Sequence, residues 1–518
     1  MRPVLPLASF ILAVIFSISF FSCSKTQNFT NIPTPVDSSI TNPPKSDSVP
    51  ATLPLPTGNL FLYGSNMGYY GANWPDEKLA EILIGSTNTP GVGVNSLRPA
   101  LYESFLAQWG LTNRLSTFKY YQQLGAKDNV VFLNGPSDAH KDKTKYCATH
   151  ESETFANLYE PIWNQDGSVN ANNYYAKYVY DVVKTYGPYV KFWEVWNEPD
   201  FTNNWYPNDA WVKADPDPCD LVGFYAPIQS YVRMLRITHE IVKKLDPTDL
   251  VCLGGIGYEG FLDAVLRNTD NPKGGAVATA YPDKGGALFD CVSFHIYPMY
   301  YLGNNKNSDA AAKAITDRKN TFESVLTKYQ YANKKDYIIT ECNIPRKALS
   351  GYIGSDEAQR NFMIKAAVSS QKANIRGIYM YQIAETETYD AATDPYQTMG
   401  FYQKITSGPY NVVMNSSGIS WRTTSRLLKD RLFDKTKTQS MSLPSNIDGG
   451  AFYSASEKNY IYVLWAKASG NSESVTSTYT FPASFGIKST SKIYSWDEKA
   501  AQATNKIALT GAPVFIKP

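Results

Sequence analysis

Two glutamates each follow a short apolar run in this sequence, and together they suggest a specific chemistry. Glu198 follows the run at residues 190–196, in the string Trp196-Asn197-Glu198-Pro199, and Glu341 follows the run at residues 337–340. Runs of this kind predict buried β-strands that deliver a carboxylic acid to the edge of a sheet. Two carboxyl groups on separate strand ends are the minimum equipment for cleaving a glycosidic bond. The pair therefore predicts a glycoside hydrolase.

Short β-like runs alternate with longer helical patterns from residue 58 onward. Apolar residues recur at helical spacing in residues 174–186, 231–244, 310–329 and 357–372, and a last helix is predicted at 421–432. Such alternation indicates parallel strands with crossover helices, and eight strands favour a closed (β/α)8 TIM barrel, an α/β fold, over an open sheet. The predicted strands are residues 60–64, 94–97, 130–133, 190–196, 250–254, 292–296, 337–340 and 377–381.

The pattern changes after the predicted barrel, which we place at residues 58–432. Residues 433–518 contain short alternating runs, which predict a small C-terminal all-β domain, of the sandwich type. Those runs are residues 450–455, 460–465, 474–481, 491–496 and 514–517. Two connections inside the barrel, residues 134–172 and 199–226, are too long for simple turns. Because loops that follow barrel strands lie on the catalytic face, we expect both to wall a substrate cleft.

The N-terminus has the features of an export signal. Arg2 precedes an apolar stretch at residues 5–21, and Ser22-Cys23 stands where cleavage would occur. A cysteine at that point resembles a bacterial lipoprotein signal, so we predict a signal peptide at 1–22 and acylation of Cys23. The protein would then be exported and membrane-anchored, in the periplasm or at the cell surface. An uncleaved membrane span is the alternative. Residues 23–57 are rich in Pro, Ser and Thr and predict an extended linker.

The composition of the chain indicates which classes of partner to expect. The net charge is only +2 and no long Lys/Arg run occurs in the region predicted to fold, so nucleic acid is not expected as a partner. Aromatic residues make up 14 % of the chain, with 37 Tyr and 10 Trp. Flat amphipathic rings suit sugar rings, which present C–H groups on one face, although individual tyrosines could equally be half-buried surface residues. The expected partner is a carbohydrate; the sequence does not indicate an oligomeric state.

Three motifs carry a resemblance to a known group of enzymes. The string Trp193-Glu-Val-Trp-Asn-Glu-Pro-Asp200, the pair Thr340-Glu341, and Ser293-Phe-His295-Ile-Tyr297-Pro298 resemble clan A of the retaining (β/α)8 glycoside hydrolases. Within it the chain is most similar to glycoside hydrolase family 39, which includes β-xylosidases and α-L-iduronidases. The resemblance spans roughly residues 58–518. It implies that Glu198 is the acid/base, that Glu341 is the nucleophile, and that Asn197 bonds the 2-hydroxyl of the sugar.

These roles require different protonation states for the two glutamates. Glu198 must be protonated near neutral pH, so we expect its pKa to rise from about 4.3 to around 6–7 through a poorly solvated pocket and the nearby charge of Glu341. Glu341 must stay ionised. Arg98 could supply the positive charge that holds it so, and Tyr297 could add a hydrogen bond. The alternative for Arg98 is an ion pair at the bottom of the barrel, with Glu194.

The sixth and eighth predicted strands supply the remaining substrate-binding candidates. His295 and Tyr297 are two residues apart on a strand and therefore face the same side, towards the cleft. The eighth strand lacks the tryptophan that usually floors the sugar site in the clan, so Tyr381 or Gln382 must take its place. The sugar therefore cannot be inferred from the family. We predict that the acidic group that follows is a solvated loop, with sugar or cation binding as the alternative; it comprises Glu385, Glu387, Asp390 and Asp394.

The cysteines and histidines predict no metal centre and no cofactor, because no His/Cys/carboxylate cluster has convincing metal spacing. Cys147 and Cys219 lie in the two long loops, and an exported protein meets oxidising conditions, so we predict a disulfide between them. The expected substrate is a plant or algal polysaccharide or oligosaccharide. Two alternatives stay open: an inactive surface lipoprotein that binds glycans, and a transglycosylase that uses the same site.

Overall fold

Eight parallel strands form one sheet in the computed structural model, which describes residues 60–67, 74–203, 208–406 and 410–518. Their order is β2-β1-β8-β7-β6-β5-β4-β3, and a parallel bridge between Ala100 and Phe132 links the two ends into a nearly closed barrel. The strands are β1 Leu62–Asn66, β2 Ser96–Arg98, β3 Asn129–Leu133, β4 Val190–Val195, β5 Leu250–Leu253, β6 Cys291–Ile296, β7 Asp336–Cys342 and β8 Gly377–Met380. The prediction of eight parallel barrel strands is confirmed.

Helices connect these strands, and their ends follow local signals in the sequence. Asn173 accepts a hydrogen bond from the Ala176 N–H and starts the predicted helix Tyr174–Tyr186. Asn307 and Ser355 cap two later helices in the same way. The helices are α1 Asp76–Ile84, α2 Glu103–Trp109, α3 Leu115–Leu124, α4 Tyr174–Tyr186, α5 Asn208–Trp211, α6 Ile228–Leu245, α7 Glu259–Arg267, α8 Ser308–Lys328, α9 Asp356–Lys372, α10 Ser416–Leu428 and α11 Lys435–Ser440.

The inside of the barrel is packed with side chains below the level of the candidate site. Phe192, Cys252, Ile338 and Tyr379 form part of one buried cluster there. Tyr379 fits because its neighbour on β1 is Gly64, where an added Cβ would lie 2.3 Å from the ring. The barrel is therefore filled, and a ligand can enter only at its rim.

A small β domain follows the barrel. It has a six-stranded antiparallel sheet, of order β14-β13-β16-β11-β10-β9, and a two-stranded sheet of β12 and β15. Residues of both sheets share one core, which includes Tyr462, Ile507 and Ile516. The strands are β9 Leu432–Asp434, β10 Ile447–Ser454, β11 Asn459–Ala466, β12 Thr476–Thr480, β13 Lys492–Tyr494, β14 Ala500–Gln502, β15 Lys506–Thr510 and β16 Val514–Lys517.

One sequence prediction at this junction is wrong in its bounds. The predicted helix at 421–432 begins earlier, at Ser416, and ends at Leu428. Leu432 instead starts β9 and pairs with Tyr453 of β10. The short strands β14 and β15 were also not predicted. Ala500–Gln502 is exposed throughout, so no alternation of apolar and polar residues marks it.

A buried ion pair between two barrel helices is hydrogen-bonded to the β domain. Lys365 of α9 is fully buried, and its ammonium lies 2.7 Å from Asp309 of α8. The other oxygen of Asp309 accepts a hydrogen bond from the Trp465 indole of β11 at 2.7 Å. Removal of Lys365 or Asp309 would leave an uncompensated charge in the interior. The hydrogen bond from Trp465 to Asp309 is a contact that holds the β domain against the barrel.

The predicted signal peptide, Cys23 and the linker lie outside the residues that the structure describes. Within the described ranges, no helix combines the length and apolar character that crossing a membrane requires.

Candidate active site

The two glutamates singled out in the sequence lie together at the carboxyl end of the barrel strands. Glu341 is on β7, and Glu198 follows β4 by three residues. One oxygen of each carboxylate and one ring nitrogen of His295, on β6, all lie within 4.8 Å of one another. Because parallel strands end at the same rim, residues far apart in the chain form one site.

Three side chains donate hydrogen bonds to the carboxylate of Glu341, which is 3 % exposed. Arg98 and Asn66 donate to Oε1, at 2.9 and 3.0 Å. Tyr297 donates to Oε2 at 2.7 Å. These three donors fix both oxygens of Glu341 in place. Asn66, at the end of β1, was not predicted; its position at a strand end was the only sequence signal for it.

Arg98 makes both of the contacts that the sequence left as alternatives. Its Nε donates to Glu194 at 2.7 Å, and its Nη1 donates to Glu341. Its Nη2 donates to the side-chain oxygen of Asn197 at 2.7 Å. The planar guanidinium therefore holds the nucleophile candidate and Asn197 in a fixed relation. Since the Asn197 oxygen is occupied by Arg98, its amide N–H groups are the part of the side chain that can face a ligand.

Glu194 anchors this arginine from below. It is fully buried on β4 and accepts hydrogen bonds from Ser293, and from Thr340 at 2.7 Å. A buried carboxylate with this many donors has its charge compensated and its orientation fixed. The ion pair with Glu194 is thus part of the support of the site.

Glu198 has an environment different from that of Glu341. Its side chain is 26 % exposed, at the open end of the site. Burial raises its pKa to about 7, the positive charge of Arg98 opposes that rise, and the negative charge of Glu194 adds to it. The sequence interpretation named Glu341 as the charged partner, whereas the structure gives that part to Glu194. A carboxyl with this pKa can carry a proton near neutral pH, as a general acid must.

The backbone around Glu198 adopts a conformation that is uncommon for side-chain-bearing residues. Trp196 and Glu198 have φ values of 75° and 47°. The Glu198 N–H donates to the Gly254 carbonyl at 2.6 Å, and an added Cβ at Gly254 would lie 2.3 Å from the Val195 oxygen. Glycine is therefore required where β5 passes this turn. Left-handed residues other than glycine concentrate at functional sites, where surrounding contacts hold them.

His295 contacts Glu198 directly. Its Nδ1 lies 2.8 Å from Glu198 Oε1 and 3.8 Å from Glu341 Oε2. Burial lowers the pKa of His295 to about 4, so the ring is neutral near pH 7. Nε2 has no hydrogen-bond partner. A proton on Nδ1 therefore leaves no buried N–H unpaired, and it donates to one oxygen of Glu198 while the other stays free for a ligand.

Asp200 is a second unusual carboxyl, which the sequence interpretation missed. It is buried and accepts hydrogen bonds from the backbone N–H groups of Gly257 and Tyr258, both at 2.8 Å. Burial raises its pKa to about 7. Asp200 joins the turn that carries Glu198 to the start of α7, so it positions this turn.

Tyrosines surround the site on the side of β6 and β8. The Tyr297 ring meets the rings of Tyr381 and Tyr396 edge to face, at centroid distances of 5.9 and 4.8 Å. Tyr381 thus lies beside Tyr297, which contacts Glu341. Gln382 is buried and donates to the Tyr396 carbonyl at 3.2 Å, so it supports the loop that carries Tyr396. Tyr396 comes from the loop after β8 and was not predicted.

The acidic group after β8 is only in part the solvated loop that we expected. Glu385 is 1 % exposed and forms a two-pronged ion pair with Arg346, at 2.7 and 2.8 Å. Asp394 caps a short 3-10 helix by accepting from the Tyr396 N–H. Glu387 pairs with Lys404 at the surface. Glu385 and Asp394 therefore shape the loop that carries Tyr396.

Cys147 and Cys219 are joined as a disulfide, with a Cα–Cα distance of 5.1 Å. The bond links the two long loops that follow β3 and β4. In the chain as described, Cys252, Cys291 and Cys342 are buried free thiols.

The disulfide provides a stability test. Replacing both cysteines, as Cys147→Ala/Cys219→Ala, is expected to lower the free energy of unfolding by about 2–4 kcal/mol, because the bond restricts the unfolded chain. Chemical denaturation of both proteins would measure this. Dithiothreitol should lower the stability of wild type and leave the double variant unchanged. Two free thiols at these positions in exported wild-type protein, found by alkylation and mass spectrometry, would contradict the disulfide.

The same three side chains are also the donor set that could hold a metal ion. Glu198, His295 and Glu341 each offer one ligand atom within the 4.8 Å group. Two carboxylates and an imidazole suit a transition metal such as Zn²⁺. Glu198 Oε1, His295 Nδ1 and both oxygens of Glu341 already have hydrogen-bond partners in the protein, whereas His295 Nε2 has none.

Comparison with solved structures identifies proteins that share this fold. No family model matches the chain, and no curated protein matches it. Among solved structures, a glucosidase from Croceicoccus marinus matches with a TM-score of 0.51 and 12 % identity, over 88 % of this chain and 95 % of that one. The α-L-arabinofuranosidase of Thermotoga maritima, in complex with arabinose, matches with a TM-score of 0.50 and 12 % identity, over 89 % and 96 %.

A family 51 α-L-arabinofuranosidase from Bifidobacterium longum matches to the same extent, with a TM-score of 0.50, 10 % identity, and coverage of 89 % and 96 %. These proteins are glycoside hydrolases. At such low identity the likeness establishes the architecture, a (β/α)8 barrel with a C-terminal β domain. What the chain does has to be argued from its own site.

Proposed function

We propose that this chain is a retaining glycoside hydrolase that cleaves O-glycosidic bonds of an oligosaccharide or polysaccharide. One observation carries the proposal: Glu198 and Glu341 face each other at the barrel rim with carboxylate oxygens within 4.8 Å. Retaining glycosidases hold their two carboxyl groups about 5–5.5 Å apart, whereas inverting ones need about 6.5–9.5 Å to admit a water. The spacing favours the retaining mechanism.

The environments of the two residues assign the two steps. Glu341, held by Arg98, Asn66 and Tyr297, attacks the anomeric carbon while Glu198 gives its proton to the departing oxygen. This forms a covalent glycosyl-enzyme and releases the first product. Glu198, now ionised, takes a proton from a water whose oxygen attacks the same carbon. The bond to Glu341 breaks, and both residues return to their starting states.

The matched structures support this class, because a glucosidase and two α-L-arabinofuranosidases share the architecture. Within the clan we propose family 39 as the nearest relative on the motifs around Glu198 and His295. A plant or algal glycan is the proposed substrate. Residues 381–387, directly after β8, include no Trp, and Tyr381 with Tyr396 takes that side of the site, so the sugar preference of a relative does not carry over.

The test is a panel of aryl glycosides and polysaccharides, assayed for released phenol and reducing ends. Any cleaved substrate is then followed by proton NMR to identify the first-formed anomer. Retention supports the proposal, and an inverted product overturns the retaining mechanism. No cleavage of any substrate with glycan binding intact would favour the inactive binding protein. Sugar-to-sugar transfer in place of hydrolysis would favour the transglycosylase.

The pH dependence of catalysis should report the pKa of Glu198. The residue acts as an acid only when protonated, and its pKa is about 7, so kcat/KM is expected to fall tenfold per pH unit above roughly pH 7. Measurement of kcat/KM from pH 4 to 9 on a cleaved aryl glycoside with a poor leaving group checks this. The Glu198→Gln variant should lose that descending limb. A wild-type limb that descends near pH 5 would contradict the assignment.

We propose in addition that acylation of Cys23 anchors the protein to a membrane. The sequence pattern around Cys23 carries this, as does the linker rich in proline that follows. Wild-type protein should sediment with membranes after cell fractionation, and Cys23→Ala should appear in the soluble exported fraction. Cys252→Ala, at a buried barrel thiol, serves as the matched control. Equal membrane partitioning of wild type and Cys23→Ala would exclude the anchor.

A further inference from the structure

A cavity separate from the candidate active site lies where α9 meets the β domain. Its volume is about 640 Å³, within the range of about 300–1,000 Å³ that is usual for small-molecule sites. Glu357 and Arg360 of α9 line one wall. The opposite wall contains Thr476 of β12, Thr510 of β15, and Trp496, which follows β13. None of these residues has a part in the chemistry proposed above.

Trp496 is held rigidly at this cavity. Its carbonyl accepts a hydrogen bond from Thr423 of α10 at 2.7 Å. Two residues further on, Glu498 pairs with Arg422 and Arg426, at 3.2 and 2.8 Å. The Arg360 guanidinium lies 4.7 Å from the Trp496 ring centroid. The indole is half-buried against the barrel core and Arg360 lies over one face of the ring, so its orientation is fixed before a ligand arrives, which lowers the entropic cost of binding.

The polar groups of the cavity suit hydroxyl-rich ligands. Thr476 and Thr510 are exposed and stand opposite each other in the β12–β15 pair. Arg360 Nε is buried with no hydrogen-bond partner, and Arg360 Nη2 donates to Glu357 at 3.1 Å. Hydroxyls, a guanidinium and a carboxylate around an aromatic ring match a sugar, which offers both hydroxyl groups and an apolar C–H face.

Charge argues against other classes of ligand. Arg360 faces Glu357, and the buried Glu473 also lines the cavity. The lining has no excess of positive charge to attract phosphates or a nucleic acid. Val475, Pro513 and Val514 line the cavity together with Glu357, Arg360 and Glu473, so a lipid chain would bury charged groups without giving them hydrogen-bond partners.

We infer that the cavity between α9 and the β domain is a second, non-catalytic site for a neutral oligosaccharide. The inference rests on the proposed function only for the choice of ligand. In a (β/α)8 barrel each helix starts on the side where the preceding strand ends. Glu357 and Arg360 are in the first turns of α9, after β7, which carries Glu341. The cavity is therefore on the catalytic end of the barrel, where it would bind a second segment of a long glycan.

The test uses the full chain with Glu341→Gln, which cannot turn over substrate. Affinity electrophoresis through gels of arabinan, xylan and mixed-linkage β-glucan selects a retarding polysaccharide. Calorimetry with its hexasaccharide then counts the sites. We expect two sites in this background and one after Trp496→Ala, with retardation in the gel weakened about tenfold. Trp109→Ala, at a tryptophan that is 41 % exposed on α2, is the control and should keep both sites.

A second variant distinguishes loss of the site from misfolding caused by removal of Trp496. Thr476→Arg leaves Trp496 in place and fills the cavity from an exposed position on β12. It should also remove one site while thermal unfolding stays unchanged. One site in the parent that neither variant alters, or no retardation by any of the polysaccharides, would overturn the inference. Failure of the proposed function would be seen in a different measurement, because wild type would then cleave none of the substrates. Even in that case, loss of gel retardation in Trp496→Ala would support the second site.

Discussion

Glu341→Ala is expected to lose turnover by a factor on the order of 10⁴ or more on every substrate. The structure gives the reason, because Arg98, Asn66 and Tyr297 hold both oxygens of Glu341 in place at the barrel rim. Initial rates on one aryl glycoside and one natural glycan would measure the loss. The effect should not depend on the leaving group, because formation of the covalent intermediate is blocked.

Azide makes this test sharper. The Ala side chain leaves room where the nucleophile stood, so azide can enter from that face and give a glycosyl azide of inverted configuration. Glu240→Ala, at a partly exposed position on the outer helix α6, is a matched control and should keep wild-type rates. If Glu341→Ala retained a tenth of the activity, or if the azide product had the configuration of the substrate, Glu341 would not be the nucleophile.

The sequence was sufficient to predict which side chains meet at the candidate site. Glu198, Glu341, Arg98 and Tyr297 were each predicted at or near a strand end, and parallel strands bring their carboxyl ends to one rim. The contacts Arg98–Glu341 and Tyr297–Glu341 then follow from the barrel itself. Local apolar runs are long enough in this chain to identify all eight strands. Residues on regular elements were therefore placed correctly by pattern alone.

What the sequence did not predict depends on contacts between distant segments. Tyr396 reaches the site because Arg346 and Glu385 hold the loop after β8, and the loop itself has no periodic pattern. Asp200 acquires its raised pKa from burial under the start of α7, which no local motif encodes. The negative charge that adds to the burial-raised pKa of Glu198 is that of Glu194, a fully buried residue, and not that of Glu341 as expected from the sequence. Burial and charge in three dimensions decide these features.

The β domain shows the same limit in another form. Asn459–Ala466, whose last six residues are all buried, was predicted, whereas Lys506–Thr510 was not predicted and Leu432 of the strand Leu432–Asp434 was taken as the end of a helix. That strand has three residues and an exposed first position, so its identity comes from pairing with Ile447–Ser454. Short edge strands depend on their partner more than on their own composition.

Glu198→Ala should separate the two steps of the reaction. On substrates with a good leaving group, such as dinitrophenyl glycosides, no proton is needed for the first step, so the glycosyl-enzyme should still form at Glu341. Substrates with poor leaving groups should slow by about 10²–10⁴-fold. Water then lacks its base in the second step, so the intermediate accumulates. Azide needs no base and should accelerate turnover, giving a glycosyl azide with the configuration of the substrate.

Mass spectrometry of the quenched and digested variant would locate the attached sugar. We expect it on the peptide that contains Glu341 and on no other peptide. Glu240→Ala, at a partly exposed carboxyl on the outer helix α6 with no proposed role in proton transfer, is the matched control. It should show neither accumulation nor azide acceleration. Equal slowing of good and poor leaving groups in Glu198→Ala, or a sugar label on another residue, would refute the assignment of Glu198 as acid/base.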